Sequence, residues 1–170
     1  MKNVMKKLSS GLTVMAMSGM IAMTTMAGDV SVCAGDPGLS GKNYIVKTKA
    51  SNPEITFTHI AQNNSNTNDQ VQYGVSRTKK YTGTLSGSLE ADAVVYKVKT
   101  ASEVGYGEEI KVSTTCTWTI EPHKTTTCRY GSMVLSTSGT METWNNGRLV
   151  SSKAVSAKYT TASYSDKIAN

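Results

Sequence analysis

Residue types that build catalytic and metal-binding sites are scarce in this sequence. Only two histidines occur among 170 residues, and neither His59 nor His123 stands at metal-ligand spacing from cysteines or acidic residues. The sequence contains no G-x-S-x-G, P-loop or dinucleotide-binding motif. We therefore expect no catalytic residue, no bound metal and no cofactor. A non-catalytic protein is the main hypothesis, and a small secreted hydrolase is an alternative.

Strong charge of either sign is also lacking. The chain carries 18 basic and 12 acidic side chains, for a net charge of +6, and the basic ones are scattered along it. Proteins that bind nucleic acid concentrate basic residues on one surface, so we expect no nucleic acid as a partner. A weak positive charge favours attraction to anionic surfaces. The expected partner is therefore a cell wall, a membrane surface or another protein.

A long apolar run occurs only at the N-terminus. Residues 1–34 read MKNVMKKLSSGLTVMAMSGMIAMTTMAGDVSVCA, with lysines ahead of an apolar stretch and small residues at its end. This order is typical of a secretory signal peptide, and a retained membrane anchor is the alternative. We predict a secreted or cell-wall-associated protein with a single β domain over residues 35–170.

The three cysteines help to place the cleavage site. A cut after Ala34 removes Cys33 and leaves an even pair, Cys116 and Cys128, in an oxidising compartment. A cut after Ala27 is the alternative and leaves an odd thiol. We therefore favour cleavage after Ala34.

Helical periodicity is weak after the leader, whereas apolar and polar residues alternate with a period of two. The pattern predicts an all-β protein, an antiparallel β-sandwich built from hairpins. Strands are expected at 43–50 and 54–61, separated by the turn Ser-Asn-Pro. Residues 62–70 are polar throughout and predict a flexible loop.

Later segments give signals of unequal clarity. Residues 140–153 contain Asn-Gly between two alternating arms, which predicts a hairpin that sets Trp144 opposite Leu149. Residues 154–167 predict a last strand. Residues 91–104 fit either a strand or a short helix, and their β-branched content favours the strand.

The stretch TTCTWTIEPHKTTTC suggests a second hairpin. Pairing its residues about Pro122 sets Cys116 opposite Cys128, with matching apolar faces on both arms. A cross-strand disulfide is therefore predicted. Closing a loop of this size stabilises a domain by about 3 kcal/mol.

Tyrosines are the best candidates for surface contacts with a partner, because large amphipathic rings are common at interfaces. Self-association through exposed sheet edges is a further expectation. The four candidate contact residues are Tyr73, Tyr106, Tyr159 and Tyr164.

Residues 80–144, KYTGTLSGSLEADAVVYKVKTASEVGYGEEIKVSTTCTWTIEPHKTTTCRYGSMVLSTSGTMETW, resemble a loosely defined group of small exported bacterial proteins of uncharacterised function. The shared pattern is an Ala/Val-rich strand, a Gly-ended segment, a Ser/Thr-rich arm that ends in a Pro turn, and a Gly-containing arm. The Ser/Thr-rich strands are also similar to those of aerolysin-type pore formers. That similarity implies an alternative function, in which residues 81–104 and 110–135 insert into a membrane as an amphipathic β-hairpin.

Overall fold

The computed structural model describes residues 40–170, so the predicted signal peptide, both cleavage sites and Cys33 lie outside the described residues. The described part folds into five strands and one helix. None of the helical structure found there has the length and apolar character of a membrane span. The elements are β1 (Gly41–Gln62), β2 (Asp69–Gly83), α1 (Ser88–Val98), β3 (Glu109–Ile120), β4 (Thr125–Asn145) and β5 (Arg148–Ala169).

The strands form one antiparallel sheet in the order β1-β4-β5-β2-β3. β1, β4 and β5 are long and pair along almost their full length. β2 joins β5 only over Tyr81–Gly83 and then pairs with β3 over its remaining length. The all-β class is therefore confirmed, whereas a sandwich stays a prediction.

The hairpin at Asn-Gly is confirmed. β4 and β5 are joined by Asn146 and Gly147, both with positive φ (47° and 73°), as a tight hairpin turn requires. Trp144 pairs with Leu149, as expected. The predicted last strand is confirmed as part of β5.

The two strands predicted at 43–50 and 54–61 are a single strand, β1, so the predicted turn between them is wrong. Pro53 lies inside β1, opposite Met133 of β4. Proline lacks an N–H group, and an edge strand tolerates it because one side of the strand has no neighbour. The Ser-Asn-Pro sequence therefore lies within an edge strand and does not form a turn.

The favoured strand at 91–104 is also wrong, because α1 occupies most of that segment. Ala91, Val94 and Val98 follow helical spacing and are buried against the sheet. Burial of this face outweighs the β-propensity of the valines, since tertiary packing decides such short segments.

The buried residues form two clusters at opposite ends of the sheet. The helix-side core lies between α1 and strands β1, β2, β4 and β5. The cysteine-side core collects residues of β1, β2, β3 and β4. The helix-side core comprises Tyr44, Tyr81, Leu85, Ala91, Val94, Val98, Leu135, Met141, Val155, Ala157 and Tyr159. The cysteine-side core comprises Ala61, Val75, Trp118, Ile120, Cys128 and Tyr130, with Cys116 packed against it.

The predicted hairpin about Pro122 is wrong. Cys116 on β3 is opposite Tyr73 of β2, whereas Cys128 on β4 is opposite His59 and Lys167. β4 is paired on both sides by β1 and β5, so neither of its edges is free for β3. Among residues 40–170 both cysteines are free thiols, and the cross-strand disulfide is not found.

Candidate functional site

The unusual feature of this sheet is the connection between β2 and β3. Adjacent antiparallel strands are commonly joined by two to five residues, but here residues 84–108, which we call the connecting segment, include α1. The ladder between the two strands reaches the base of the segment. Tyr81 N donates to Glu108 O (3.2 Å), and Gly107 N donates to Tyr81 O (2.9 Å).

The buried face of α1 attaches the connecting segment to the sheet. Val94 is 0% exposed, and burying a side chain of this kind stabilises a fold by about 2 kcal/mol. Two tyrosines of the helix-side core also bind the segment's backbone. Tyr81 Oη donates to Ala91 O (3.1 Å), and Tyr159 Oη donates to Thr100 O (3.1 Å). Burial raises the pKa of Tyr159 to about 12, so both groups stay protonated donors.

Glu90 fixes the start of the helix. Its carboxylate is 3% exposed and lies 3.1 Å from Lys42 Nζ and 3.0 Å from Lys153 Nζ. Ser86 N donates to it at 2.9 Å. Burial disfavours the charged form, but the hydrogen bonds from Ser86, Lys153 and Lys42 outweigh burial and lower the pKa of Glu90 to about 2. We call these four residues the Glu90 clamp.

A second ion cluster holds the far end of the segment. Glu103 accepts two hydrogen bonds from Arg77, at 2.5 and 2.6 Å, and lies 3.3 Å from Lys79 Nζ. The hydrogen bonds from Arg77 are the main reason that the pKa of Glu103 is lowered. Glu103 N also donates to Thr160 O (2.9 Å). The segment is thus pinned by charge at both ends of α1.

The helix itself has little intrinsic stability. Gly87 at its N-cap offers no side-chain hydrogen bond, and Lys99 at its C-cap adopts the left-handed conformation (φ 55°), which is unfavourable for a residue with a side chain. An isolated helix of 11 residues is marginal in water. α1 therefore depends on its contacts with the sheet.

The outer face of α1 exposes large apolar side chains. Leu89 is 74% exposed and Tyr96 is 78% exposed. They are seven residues apart, which places them on the same side of a helix. Sequence alternation did not single out Tyr96, because only the docked helix shows which side faces solvent.

The tyrosines predicted as surface contacts lie elsewhere. Tyr159 is 0% exposed, so it is a core residue and that prediction is wrong. The others are half-buried, with each hydroxyl engaged inside the protein. Tyr73 Oη bonds His59 Nε2 (2.6 Å), Tyr106 Oη donates to Gly83 O and Leu85 O (3.1 and 2.9 Å), and Tyr164 Oη donates to Asp166 Oδ2 (2.6 Å).

The register of β2 and β3 has a consequence for the connecting segment. From Asp69 opposite Ile120 to Lys80 opposite Glu109, the two residue numbers of every pair add up to 189, without a bulge. If this register continues from the two strands into residues 84–108, the connecting segment becomes a hairpin with arms 82–93 and 96–107. Its turn then lies at Val94 and Val95.

That continued register separates apolar from polar side chains. Glu90 falls opposite Lys99 and Asp92 falls opposite Lys97, two favourable charge pairs on one face. The other face is interrupted by Gly83, Gly87, Thr100 and Ser102. The apolar face carries Leu85, Leu89, Ala91, Ala93, Tyr96, Val98, Val104 and Tyr106. The polar face carries Thr82, Thr84, Ser86, Ser88, Glu90, Asp92, Lys97, Lys99 and Glu103, together with the small residues Ala101, Gly105 and Gly107.

Within residues 40–170, enclosed sites for small ligands are not prominent. A shallow trough of about 410 Å³ crosses four strands, and most of its lining residues are serine or threonine, with Lys158 among the others. In the described part of the chain, no three His, Cys, Asp or Glu side chains come together as metal ligands do. The arrangement of the connecting segment is therefore the candidate site.

Comparisons with known proteins add little. No family model matches this chain, and no curated protein matches it. Among solved structures, the chain is similar to the parasporin-2 Bacillus thuringiensis toxin that recognizes cancer cells. The two are 14% identical over 77% of this chain and 72% of the toxin chain, with a TM-score of 0.31. A similarity at that score does not support an inference about fold or function, so the candidate site rests on the geometry of the connecting segment.

Proposed function

We propose that the protein acts on membranes, and that the connecting segment converts there from a docked helix to an amphipathic β-hairpin. Hairpins from several copies then line a pore. The observation that supports this proposal is the register of β2 and β3, which separates apolar from polar residues when it is continued through residues 84–108.

The length of the hairpin fits a bilayer. Each arm, 82–93 and 96–107, has 12 residues, and a tilted strand crosses the hydrocarbon core with about 9–11 residues. Pairing between the arms satisfies their backbone hydrogen bonds, as a membrane interior demands. The apolar face then contacts lipid, while the hydroxyl and charged face contacts water.

The soluble form already presents the first contact with a membrane. Leu89 and Tyr96 project from the outer face of α1, and Lys97 and Lys99 lie next to Tyr96 along the chain. Apolar and aromatic side chains beside lysines favour binding to the surface of anionic membranes. The same Leu89 and Tyr96 fall on the lipid-facing side of the hairpin.

Conversion exchanges one set of interactions for another. The helix-side core loses the buried face of α1, and Glu90 leaves its two lysines. In return, the arms gain ladder hydrogen bonds, and Glu90 and Asp92 gain Lys99 and Lys97 as cross-strand partners. Because an 11-residue helix is marginal without its contacts, a membrane that binds its outer face shifts the balance towards the hairpin.

The test compares Leu89→Lys with Ser88→Lys in a dye-release assay on vesicles of anionic phospholipid. Both residues are exposed in the soluble form, so both variants should keep the soluble fold. A lysine on the lipid face of a transmembrane strand costs about 2–4 kcal/mol near the bilayer midplane, whereas one on the water-facing side is tolerated. We expect release by the wild type and Ser88→Lys, and at least about tenfold slower release by Leu89→Lys.

The competing function is surface binding, and it is distinguished from pore formation by binding to vesicles without release of dye. A non-catalytic surface-binding protein associates with the vesicles through Leu89 and Tyr96 and leaves them intact. Equal release by the two lysine variants contradicts the hairpin register. Intact vesicles with every form of the protein contradict pore formation.

A further inference from the structure

We propose that Cys116 and Cys128 are a thiol–disulfide modification site whose oxidised form ties β3 to β4 across the cysteine-side core. The bond holds the β2–β3 hairpin against the long strands. Its effect on membrane activity rests on the proposed function, whereas the bond itself does not.

Both cysteines belong to the cysteine-side core although their strands are not paired. Cys128 is 0% exposed in the cysteine-side core, and Cys116 packs against that core from β3. Burial is the main cause that raises the pKa of Cys128, and the neighbouring Cys116 raises it further. Both cysteines thus belong to one packed cluster.

The position of Cys116 over β5 supports this proximity. Its Sγ lies 3.4 Å from Ser165 Oγ, and Ser165 is opposite Tyr130 of β4. Cys128 is two residues before Tyr130, so it lies on the same face of β4. Cys128 and Ser165 are therefore diagonal neighbours on this face, and such neighbours are about 7–8 Å apart. The thiol of Cys116 thus lies above the β4–β5 surface that carries Cys128.

β3 lies along this surface over several residues. Trp118 Nε1 donates to Asp166 O (3.1 Å), and Lys167 Nζ donates to Thr119 O (3.0 Å). Both contacts run from a side-chain donor to a main-chain carbonyl, because the two strands are not neighbours in the sheet and share no backbone ladder. A covalent link at Cys116 adds a restraint where backbone pairing provides none.

The chemistry requires a disulfide oxidant, such as oxidised glutathione. Cys116 is the more exposed thiol, so its thiolate attacks the oxidant first and releases one thiolate. The thiolate of Cys128 then attacks the sulfur of Cys116 in the mixed disulfide and releases the second. Both cysteine sulfurs are oxidised, the oxidant is reduced to two thiols, and the two cysteine protons pass to the released thiolates.

The bond restrains the base of the proposed membrane hairpin. β3 is the strand that the arm 96–107 would extend, and β4 belongs to the long part of the sheet. If β2 and β3 leave the long strands when their hairpins assemble, that step requires a reduced pair. Oxidation should slow this opening, and with it the release of vesicle contents.

The experiment incubates the full chain carrying Cys33→Ser with oxidised glutathione and with a reducing agent. We expect intact mass to show the loss of two hydrogen atoms and peptide mapping to join Cys116 to Cys128. Hydrogen exchange at residues 109–120 should slow at least tenfold on oxidation. The Cys116→Ser and Cys128→Ser variants should show no change of exchange with redox state.

Each outcome bears on a separate claim. Two thiols that stay free, or a bond that leaves exchange at 109–120 unchanged, overturn the inference. With the bond formed, release several-fold slower than in the reduced form supports the restraint, and equal release overturns it. If exchange slows but neither form releases dye, the linkage is supported and the proposed pore function fails.

Discussion

Two connections in this sheet join adjacent antiparallel strands, and they differ in how far the local sequence determines them. β4 and β5 are joined by Asn146 and Gly147, both with the positive φ that the turn needs. β2 and β3 are joined by the connecting segment, whose alternation fits a hairpin but whose apolar residues also fit one face of a helix. A structure is unique where local and tertiary preferences agree. Where they disagree, tertiary contacts determine which structure forms, and a change of environment can favour the other structure.

The largest effect is expected from Val94→Asp. Val94 is wholly buried under α1, but it lies in the turn of the proposed hairpin, where a charge is tolerated. An unpaired buried charge should reduce the free energy of unfolding by on the order of 3–4 kcal/mol, as measured by denaturant titration. Release should become faster. Val150→Asp, at an exposed position, is the control and should change stability by less than about 0.5 kcal/mol. Slower release by Val94→Asp contradicts the exchange between helix and hairpin.

Glu90→Gln should have the next largest effect, because it removes the charge that Lys42 and Lys153 neutralise. Both lysines are about one-third exposed and keep part of their hydration, so we expect a loss of about 1–2 kcal/mol. The measurement is the midpoint of denaturant unfolding. Glu54→Gln, whose carboxylate is 43% exposed, is the matched control and should change stability little. Equal midpoints for the two variants contradict the role of the Glu90 clamp.

The same carboxylate predicts a dependence on pH. The pKa of Glu90 is about 2 in the folded protein and about 4.3 in an unfolded chain. Because the folded value is the lower one, the clamp stabilises the protein fully above the unfolded value and is lost as the pH falls towards 2. Wild-type stability should therefore fall more steeply than that of Glu90→Gln between about pH 4.3 and pH 2. Parallel pH profiles contradict the assignment.

The smallest effect on release is expected at the other connection. Gly147→Val places a β-branched residue at φ 73°, which should cost about 1–2 kcal/mol. The strain is local to the β4–β5 turn, so release per folded molecule should not change. Asn146→Gly keeps the turn and serves as the control. A marked loss of release by Gly147→Val means that this hairpin, too, takes part in membrane action.

The sequence predicted the elements whose local signals agree with the sheet. The all-β class, the turn at Asn146 and the pairing of Trp144 with Leu149 follow from alternation and turn chemistry. The pairing of Cys116 with Cys128 across a hairpin was wrong, although the local register was consistent. β4 takes both of its neighbours from distant parts of the chain, and no local pattern contains that information.

The site was only partly predictable for a related reason. Alternation shows that two residues share a face, but it does not show whether that face is the core. Tyr159 and Tyr96 look alike in the sequence, yet the first is 0% exposed and the second 78%. The amphipathic pattern at the start of the connecting segment was visible, whereas its pairing register became clear only from β2 and β3.

The central claim is that the connecting segment adopts the register of β2 and β3 on a membrane, and one distance tests it directly. Ser88 and Ala101 are both exposed and become opposite each other in that register. Without a membrane, Ser88 begins α1 and Ala101 lies three residues after its last residue, Val98, and the 11 residues of the helix separate its ends by about 15 Å. Spin labels placed at both positions, with the native cysteines replaced by serine, report the separation by electron paramagnetic resonance. On vesicles that release dye, the account predicts that the backbone separation falls to about 5 Å. Release with the separation unchanged would contradict it.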